Sequence, residues 1–347
     1  METLDKLQKS IGNKTLLISN PTTISYLIGY KVDPGKRLIL LIIEDGKKPL
    51  LVLNNLFPKP SNIVIHSYND GEDIIGQINT LLPKGDIYVE GDFESRYLIP
   101  LLDKNRNFID GSHFIERQRQ IKDSKELELM KIASEHNDRI MSELIPYFKE
   151  GISEIELAKI ITEKQSTSPL SGISFEPISV FTQNIADPHA IPSTRKLQKG
   201  DVILIDMGGI YNNYMSDMTR AFFFGRNESL EKIYDIVLEA NLAAIDAIEI
   251  GKPIGLVDKA ARDVIIKHGY GEYFTHRTGH GIGLDTHEEP YVFEQNQTLI
   301  ENGMCFSIEP GIYIEGVGGI RIEDLVCIEN DKVTILNKYP KDKTFIS

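Results

Sequence analysis

Cysteine is nearly absent. Of 347 residues, only Cys305 and Cys327 carry a thiol. That excludes a disulfide-framed miniature scaffold and a zinc cage built of thiolates. Basic runs are also missing. The 38 lysines and arginines stand against 51 acidic residues, a net charge of −13. Such a balance argues against nucleic acid as a partner. Long apolar runs are absent too. The most apolar stretch, Leu38 to Ile43, is far too short to cross a bilayer, so no membrane partner is expected. The opening METLDKLQKS has no apolar secretion core, and a cytoplasmic location is the expectation.

What is present points to two domains, because 347 residues exceed one ordinary core. Residues 1–120 read as an α/β unit. Short apolar strands are expected at 15–19, 37–43, 49–53, 62–66 and 86–90, and helices at 21–27, 73–82 and 94–102. The polar stretch from Gln118 to Lys125 marks the boundary. Residues 121–347 open with a long helical period from Ser124 to Phe148, broken at Gly151. Ser153 and Glu156 form a capping box for a second helix. A second helix pair is expected at 229–248 and 254–268, ahead of a strand-rich last third. A helix pair followed by strands thus occurs twice, which suggests an internal duplication.

The chemistry concentrates in HRTGHGIGLDTHEEP, residues 276–290. His276, His280 and His287 alternate there with glycines that let another strand or a ligand approach the backbone. Acidic pairs flank this stretch. Asp206 ends the apolar run VILI, and a turn centred on Tyr211 and Asn212 would set it directly opposite Asp217. Glu309 and Glu323 repeat the pattern about Gly316. Opposed side chains have Cβ atoms about 4.5–5.5 Å apart, so such like charges need a cation between them. Two divalent metal ions satisfy both pairs. Carboxylates with imidazole and no thiolate suit manganese, cobalt, iron or zinc. The same register sets Cys305 opposite Cys327. They are either a cross-strand disulfide or, as a reducing compartment favours, two buried thiols.

The segments NIADPHAIP, LIDMGGIYNNYMSDMTRAFFFG, HRTGHGIGLDTHEEP, GMCFSIEPGIYI and GGIRIED together resemble the pita-bread metallopeptidases. That group includes prolidase, aminopeptidase P and methionine aminopeptidase. The resemblance implies an α+β fold: a pita-bread (creatinase/aminopeptidase) catalytic domain, here 121–347, behind a smaller α/β N-terminal domain of creatinase/prolidase type, here 1–120. Asp206 would bind one metal, His280 and Glu309 the other, and Asp217 and Glu323 both. A bridging hydroxide would attack the scissile carbonyl, with Glu309 taking its proton. By the same resemblance His189 would meet the scissile nitrogen, His287 the carbonyl oxygen and His276 the substrate side. Arg321 and Thr219 would orient ligands. Manganese or cobalt is the expected metal, with zinc or iron as alternatives, and a homodimer is the expected assembly.

The implied activity is hydrolysis of an Xaa–Pro bond, prolidase-like, in a proline-containing peptide. The alternatives are an aminopeptidase P acting on longer peptides, a methionine aminopeptidase, a creatinase-like amidinohydrolase or a non-catalytic binding relative. The five-ligand set counts against the last two. Two departures stand out. The family's glycine is replaced near Thr182 and Gln183. Where family dipeptidases can place a carboxylate-binding arginine after HExP, this chain has Tyr291, leaving Arg321 as the expected cation.

Overall fold

The structure, a computed structural model, describes residues 2–346. Two compact units meet between Gln118 and Arg119.

The first unit is built on a six-stranded mixed sheet in the spatial order Val64–Tyr68, Leu50–Asn54, Leu40–Glu44, Thr15–Ile18, Gly85–Val89, Arg106–Asp110. Its central strands are apolar on both faces. Leu16, Leu41 and Leu51 enter one core, and Leu17, Leu40 and Val52 enter the other. This two-sided burial explains why the strands read as continuous apolar runs rather than alternations. The turn after Leu40–Glu44 uses Gly46 at φ +67°, the left-handed geometry that the Asp-Gly pair announces. Helix 94–102 is shorter than expected. Ser95–Leu98 is α-helical, and Ile99–Leu101 tightens into a 3₁₀ turn at Pro100, which has no N–H to continue the ladder. The helices Glu2–Ile11 and Ser112–Gln120 and the strand Arg106–Asp110 escape sequence reasoning. All three are short and polar on their outer faces.

The second unit carries two helix pairs, each preceding a set of strands. Ser124–Leu144 and Glu154–Ser166 form the first pair, and Glu228–Asp246 and Gly255–Lys267 the second. Ser153 and Glu156 close the expected capping box. The first pair packs on the four-stranded sheet ordered Thr344–Ile346, Met218–Phe224, Asp201–Met207, Ile178–Phe181. The second pair covers a five-stranded sheet ordered Glu288–Val292, Gly279–Gly281, Cys305–Ile308, Asp324–Glu329, Lys332–Ile335. The glycines of this sheet serve strand packing. A Cβ on Gly279 would lie 1.9 Å from the Ser307 carbonyl oxygen, and one on Gly281 would lie 2.4 Å from that of Glu289.

One acidic hairpin differs from the expected register. Asp206 pairs with Thr219, not with Asp217. The turn is centred on Asn212 and Asn213, at φ +46° and +73°, and Tyr211 pairs with Tyr214. A two-residue hairpin turn with both φ values positive suits asparagine and penalises tyrosine, which moves the centre by one residue. Opposition therefore slips by two residues. A slip of two keeps each side chain on its face, so Asp206 and Asp217 become diagonal neighbours. The other hairpin holds its expected register throughout, with Ile308 opposite Asp324 and Gly311 opposite Arg321. Cys305 and Cys327 accordingly pair, with Cα atoms 4.3 Å apart, and are joined as a disulfide. This corrects the expectation of two thiols: no bulge intervenes to part them.

Candidate metal centre and substrate cavity

Five elements converge on one cavity of about 960 Å³ within the second unit. Its walls include Asp206, Asp217, His280, Glu309 and Glu323, together with His189, His276, His287 and Arg321. Each acid reaches it from the end of a strand. Asp206 is next to last in Asp201–Met207, and Asp217 precedes Met218–Phe224. Glu309 follows Cys305–Ile308, and Glu323 lies between Gly318–Arg321 and Asp324–Glu329. Strand ends satisfy the backbone while freeing side chains to point beyond the sheet.

The donor atoms of Asp217, His280 and Glu323 all lie within 4.8 Å of one another, and all three residues are buried. His280 Nδ1 is 3.0 Å from the Gly281 carbonyl oxygen. A carbonyl can only accept, so Nδ1 carries a proton and Nε2 is the ring nitrogen left to face the cavity. That atom faces Glu309 Oε1 at 3.2 Å and Asp217 Oδ2 at 3.9 Å. An imidazole nitrogen and two carboxylate oxygens facing each other need a proton or a cation between them. Asp206 Oδ1 and Asp217 Oδ1 are buried with no hydrogen-bond partner. Unpaired buried carboxylate oxygens are costly, and metal ions would supply their missing partners. The donor set therefore fits divalent cations on the structure's own geometry.

The electrostatics of the protein without metal agree. Burial, then the charges of Glu323, Asp206 and Glu309, push Asp217 well above the usual carboxylate range. Burial, Glu309 and Asp206 do the same to Glu323. Burial raises Asp206, against the pull of Arg321. Glu309 is the exception. Burial opposes its ionisation, but the hydrogen bond and charge of His280, with His276 and Arg321, hold it down at about 2.

The surrounding residues fix these groups in place. Arg321 donates to Asp206 Oδ2 at 2.6 Å, Thr219 Oγ1 at 3.1 Å, Tyr313 Oη at 3.0 Å and the Pro188 carbonyl at 3.4 Å. Thr219 donates to Glu323 Oε2 at 2.7 Å. His276 lies 2.8 Å from Tyr313 Oη, with burial lowering its pKa. The His287 ring meets the His280 ring edge-on, centroids 4.2 Å apart. Burial, then the charges of His280 and Arg277, lower His287 to about 4, so its ring is neutral at neutral pH. The loop carrying His287 is tied down by Glu288, which accepts from the amides of Leu284 and Asp285 at 2.8 and 3.0 Å and pairs with Arg119. His189 is exposed on the cavity wall.

The backbone before His189 accounts for the departure noted at Thr182. Thr182 sits at φ +33°, a strained region for a β-branched residue. Its hydroxyl donates to Asp201 at 2.8 Å and accepts from the Val202 amide at 2.9 Å, which offsets that strain. Glu154 then holds the loop, accepting from the amides of Phe181 and Ser193 at 2.7 and 2.9 Å. Sequence reasoning missed Glu154, Tyr313 and Arg277. The first two sit in ordinary helix and strand patterns, and nothing local marks them.

The model sequence profile of metallopeptidase family M24 matches residues 128–330. The chain belongs to metallopeptidase family M24. It is 36% identical over 334 residues to an uncharacterized peptidase of Staphylococcus aureus strain USA300, with 93% of this chain and 94% of that protein covered. Among solved structures it is similar to a dipeptidase from Pyrococcus horikoshii OT3, at TM-score 0.94 and 35% identity over 99% of each chain. A prolidase from Thermococcus sibiricus matches at TM-score 0.93 and 33% identity, covering 99% of this chain and 98% of that one. An Xaa-Pro dipeptidase from Bacillus anthracis matches at TM-score 0.89 and 28% identity over 99% of each chain. The fold is thus the M24 pita-bread fold with an N-terminal unit, and the protein is a prolidase-like metallopeptidase. No described helix is long and apolar enough to cross a membrane.

Proposed function

We propose that this M24 peptidase hydrolyses the bond before proline, using two divalent ions held by Asp206, Asp217, His280, Glu309 and Glu323. The observation that carries the reading is the pair of orphaned buried oxygens, Asp206 Oδ1 and Asp217 Oδ1, facing the same cavity as Nε2 of His280. Bound there, the ions would activate a water as nucleophile and polarise the carbonyl it attacks. Manganese or cobalt suits this carboxylate-rich set best.

The chain's own residues supply the rest. Glu309, on the cavity wall with Oε1 3.2 Å from His280 Nε2, takes a proton from the attacking water. Neutral His287 donates a hydrogen bond to the carbonyl oxygen as charge develops on it. His189, exposed on the cavity wall, meets the scissile nitrogen. His276 is steadied through Tyr313 and lines the substrate side. The relatives named prolidase and Xaa-Pro dipeptidase support proline after the bond. The relative named simply a dipeptidase favours a second reading, a dipeptidase without a strict need for proline. A homodimer, as the resemblance implies, in the cytoplasm completes the proposal.

The test is a chelated sample reloaded with manganese or cobalt and offered Met-Pro, Met-Ala and Met-Pro-Ala-Gly. Cleavage of the proline substrates only after reloading, with Met-Ala resistant, is expected. Equal cleavage of Met-Ala would favour the second reading, and cleavage by the metal-free sample would overturn the metal mechanism.

A further inference from the structure

The two acids of the second hairpin sit where its strand pairing lapses. One ladder ends with Ile308 opposite Asp324, and the next begins with Gly311 opposite Arg321. Glu309 and Glu323 lie in the break. Their amides bond outside the hairpin, to the carbonyls of Thr278 at 2.8 Å and Thr219 at 3.2 Å. The bond across the break, from the Ile322 amide to the Pro310 carbonyl, is long at 3.5 Å. Backbone pairing therefore holds the two acids to each other only loosely. Asn241 spans the break instead. It is wholly buried in the middle of Glu228–Asp246. Its Nδ2 donates to the carbonyls of Ile308 at 3.0 Å and Ile322 at 3.3 Å, the residues directly before Glu309 and Glu323. Its Oδ1 accepts from Lys341 Nζ at 2.8 Å. Two carbonyls on one side and an ammonium on the other allow only one orientation of the amide. Lys341 also pairs with Asp324 Oδ2 at 2.5 Å. Asp324 is wholly buried and follows Glu323. Its Oδ1 accepts from Arg220 at 2.8 Å, and Arg220 bonds the Glu323 carbonyl as well.

We propose that Asn241, oriented by Lys341, is a positioning residue that sets Glu309 and Glu323 side by side for a shared pair of ions. The inference rests on the two-ion reading above and adds what fixes the spacing of the site. Helix formation gives no reason for an asparagine at 241, since asparagine is a poor helix former in a helix interior. Its burial is costly unless its polar atoms are paired, and here both are. The carbonyl of one residue and the amide of the next share a rigid peptide plane. The planes leading into Glu309 and Glu323 are each held twice, by Asn241 at the carbonyl and by Thr278 or Thr219 at the amide. That fixes the direction in which each side chain leaves the backbone. Metal constellations need their donors held to within about 0.5 Å, and a loose hairpin alone does not supply this. Asp206 and Asp217 belong to the other hairpin. Loss of Asn241 therefore strikes the ion assigned to His280 and Glu309 before the one assigned to Asp206.

The experiment titrates the chelated full chain with manganese. Calorimetry counts the ions, and electron paramagnetic resonance separates a spin-coupled pair from isolated ions. The wild type should bind two ions per chain and show the coupled signal. Asn241→Leu should bind one ion within about threefold of wild type and the other at least about 10-fold more weakly, with the coupled signal lost at equal loading. Lys341→Met leaves the amide free to turn. It should weaken the same ion by about 3–10-fold, and Lys341→Arg should restore it to within about twofold. The lysine variants carry the test if Asn241→Leu does not fold. A purely structural role would lower the melting temperature of the chelated variants while the folded protein kept both ions and the coupled signal. That result, or equal weakening of both ions, would overturn the proposal while the two-ion reading stood. If the wild type binds fewer than two ions, the two-ion reading fails, and this inference with it.

Discussion

The two acidic hairpins bring equivalent carboxylates to one cavity by different means. In the first, an Asn212–Asn213 turn offsets the strands, and Asp206 and Asp217 meet diagonally, each with a buried oxygen left unpaired. In the second, Gly316 at φ +75° closes a loop that keeps Glu309 in line with Glu323. Glu309 and Glu323 also differ in state. His280 helps hold the Glu309 pKa down at about 2, whereas burial and the charges of Glu309 and Asp206 push that of Glu323 well above the usual carboxylate range. The difference teaches that face, not exact opposition, is what a shared cation site demands. Parity along the strand sets the face, and turn chemistry sets only the offset.

The largest test removes an acid from the offset hairpin. Asp217→Ala should lower kcat/KM on Met-Pro by at least about 10³-fold, because several kcal/mol of metal assistance depend on it. A chelated wild type should fall as far. Near-normal turnover in either sample would break the equivalence of the hairpins at the metal site.

Stability gives the next test, in the metal-free protein. The Asp217 pKa is raised on folding, so its contribution is fully present below the unfolded value and is lost as pH rises through the folded value. Chelated Asp217→Asn should therefore melt higher than chelated wild type at pH 8, by at least about 2 °C, with the gap closing at pH 4–5. Metal affinity of the wild type should rise over the same interval as these protons leave. An unchanged gap across pH, followed by thermal melting, would mean that Asp217 is ionised without metal.

A smaller effect sharpens the role of the turns. Asn212→Val places a β-branched residue at φ +46° and should cost about 1–2 kcal/mol. Gly316→Val at φ +75° should cost a similar amount. Only the first should also weaken metal binding at Asp206 and Asp217, measured by titration calorimetry. Equal losses in both variants would show that the turns do not act separately. The smallest effect belongs to the cysteines. Reduction of Cys305–Cys327, followed by thiol titration, should leave kcat/KM within about twofold, because the strand pairing around it already holds the register.

The helix pairs, most strands and nine of the fifteen residues that line the cavity were legible in the sequence. Apolar period, capping residues and glycines act locally, and the acids and histidines occur in short dense segments. The register of the second hairpin was legible as well, since its centre falls on a glycine. The offset of the first was not: Tyr211-Asn212 and Asn212-Asn213 are both near the middle, and the choice depends on φ values that a bare composition does not display. Glu154, Tyr313 and Arg277 were silent for a different reason. Each acts on a partner far away in the chain: Glu154 on the loop at 181–193, Tyr313 on His276, and Arg277 on Tyr291. The sequence by itself determined which residue types face which side of each strand, because parity is a local property. Only the tertiary structure decided which arginine is spent on the acids, because that depends on the distances between strands that the chain brings together late.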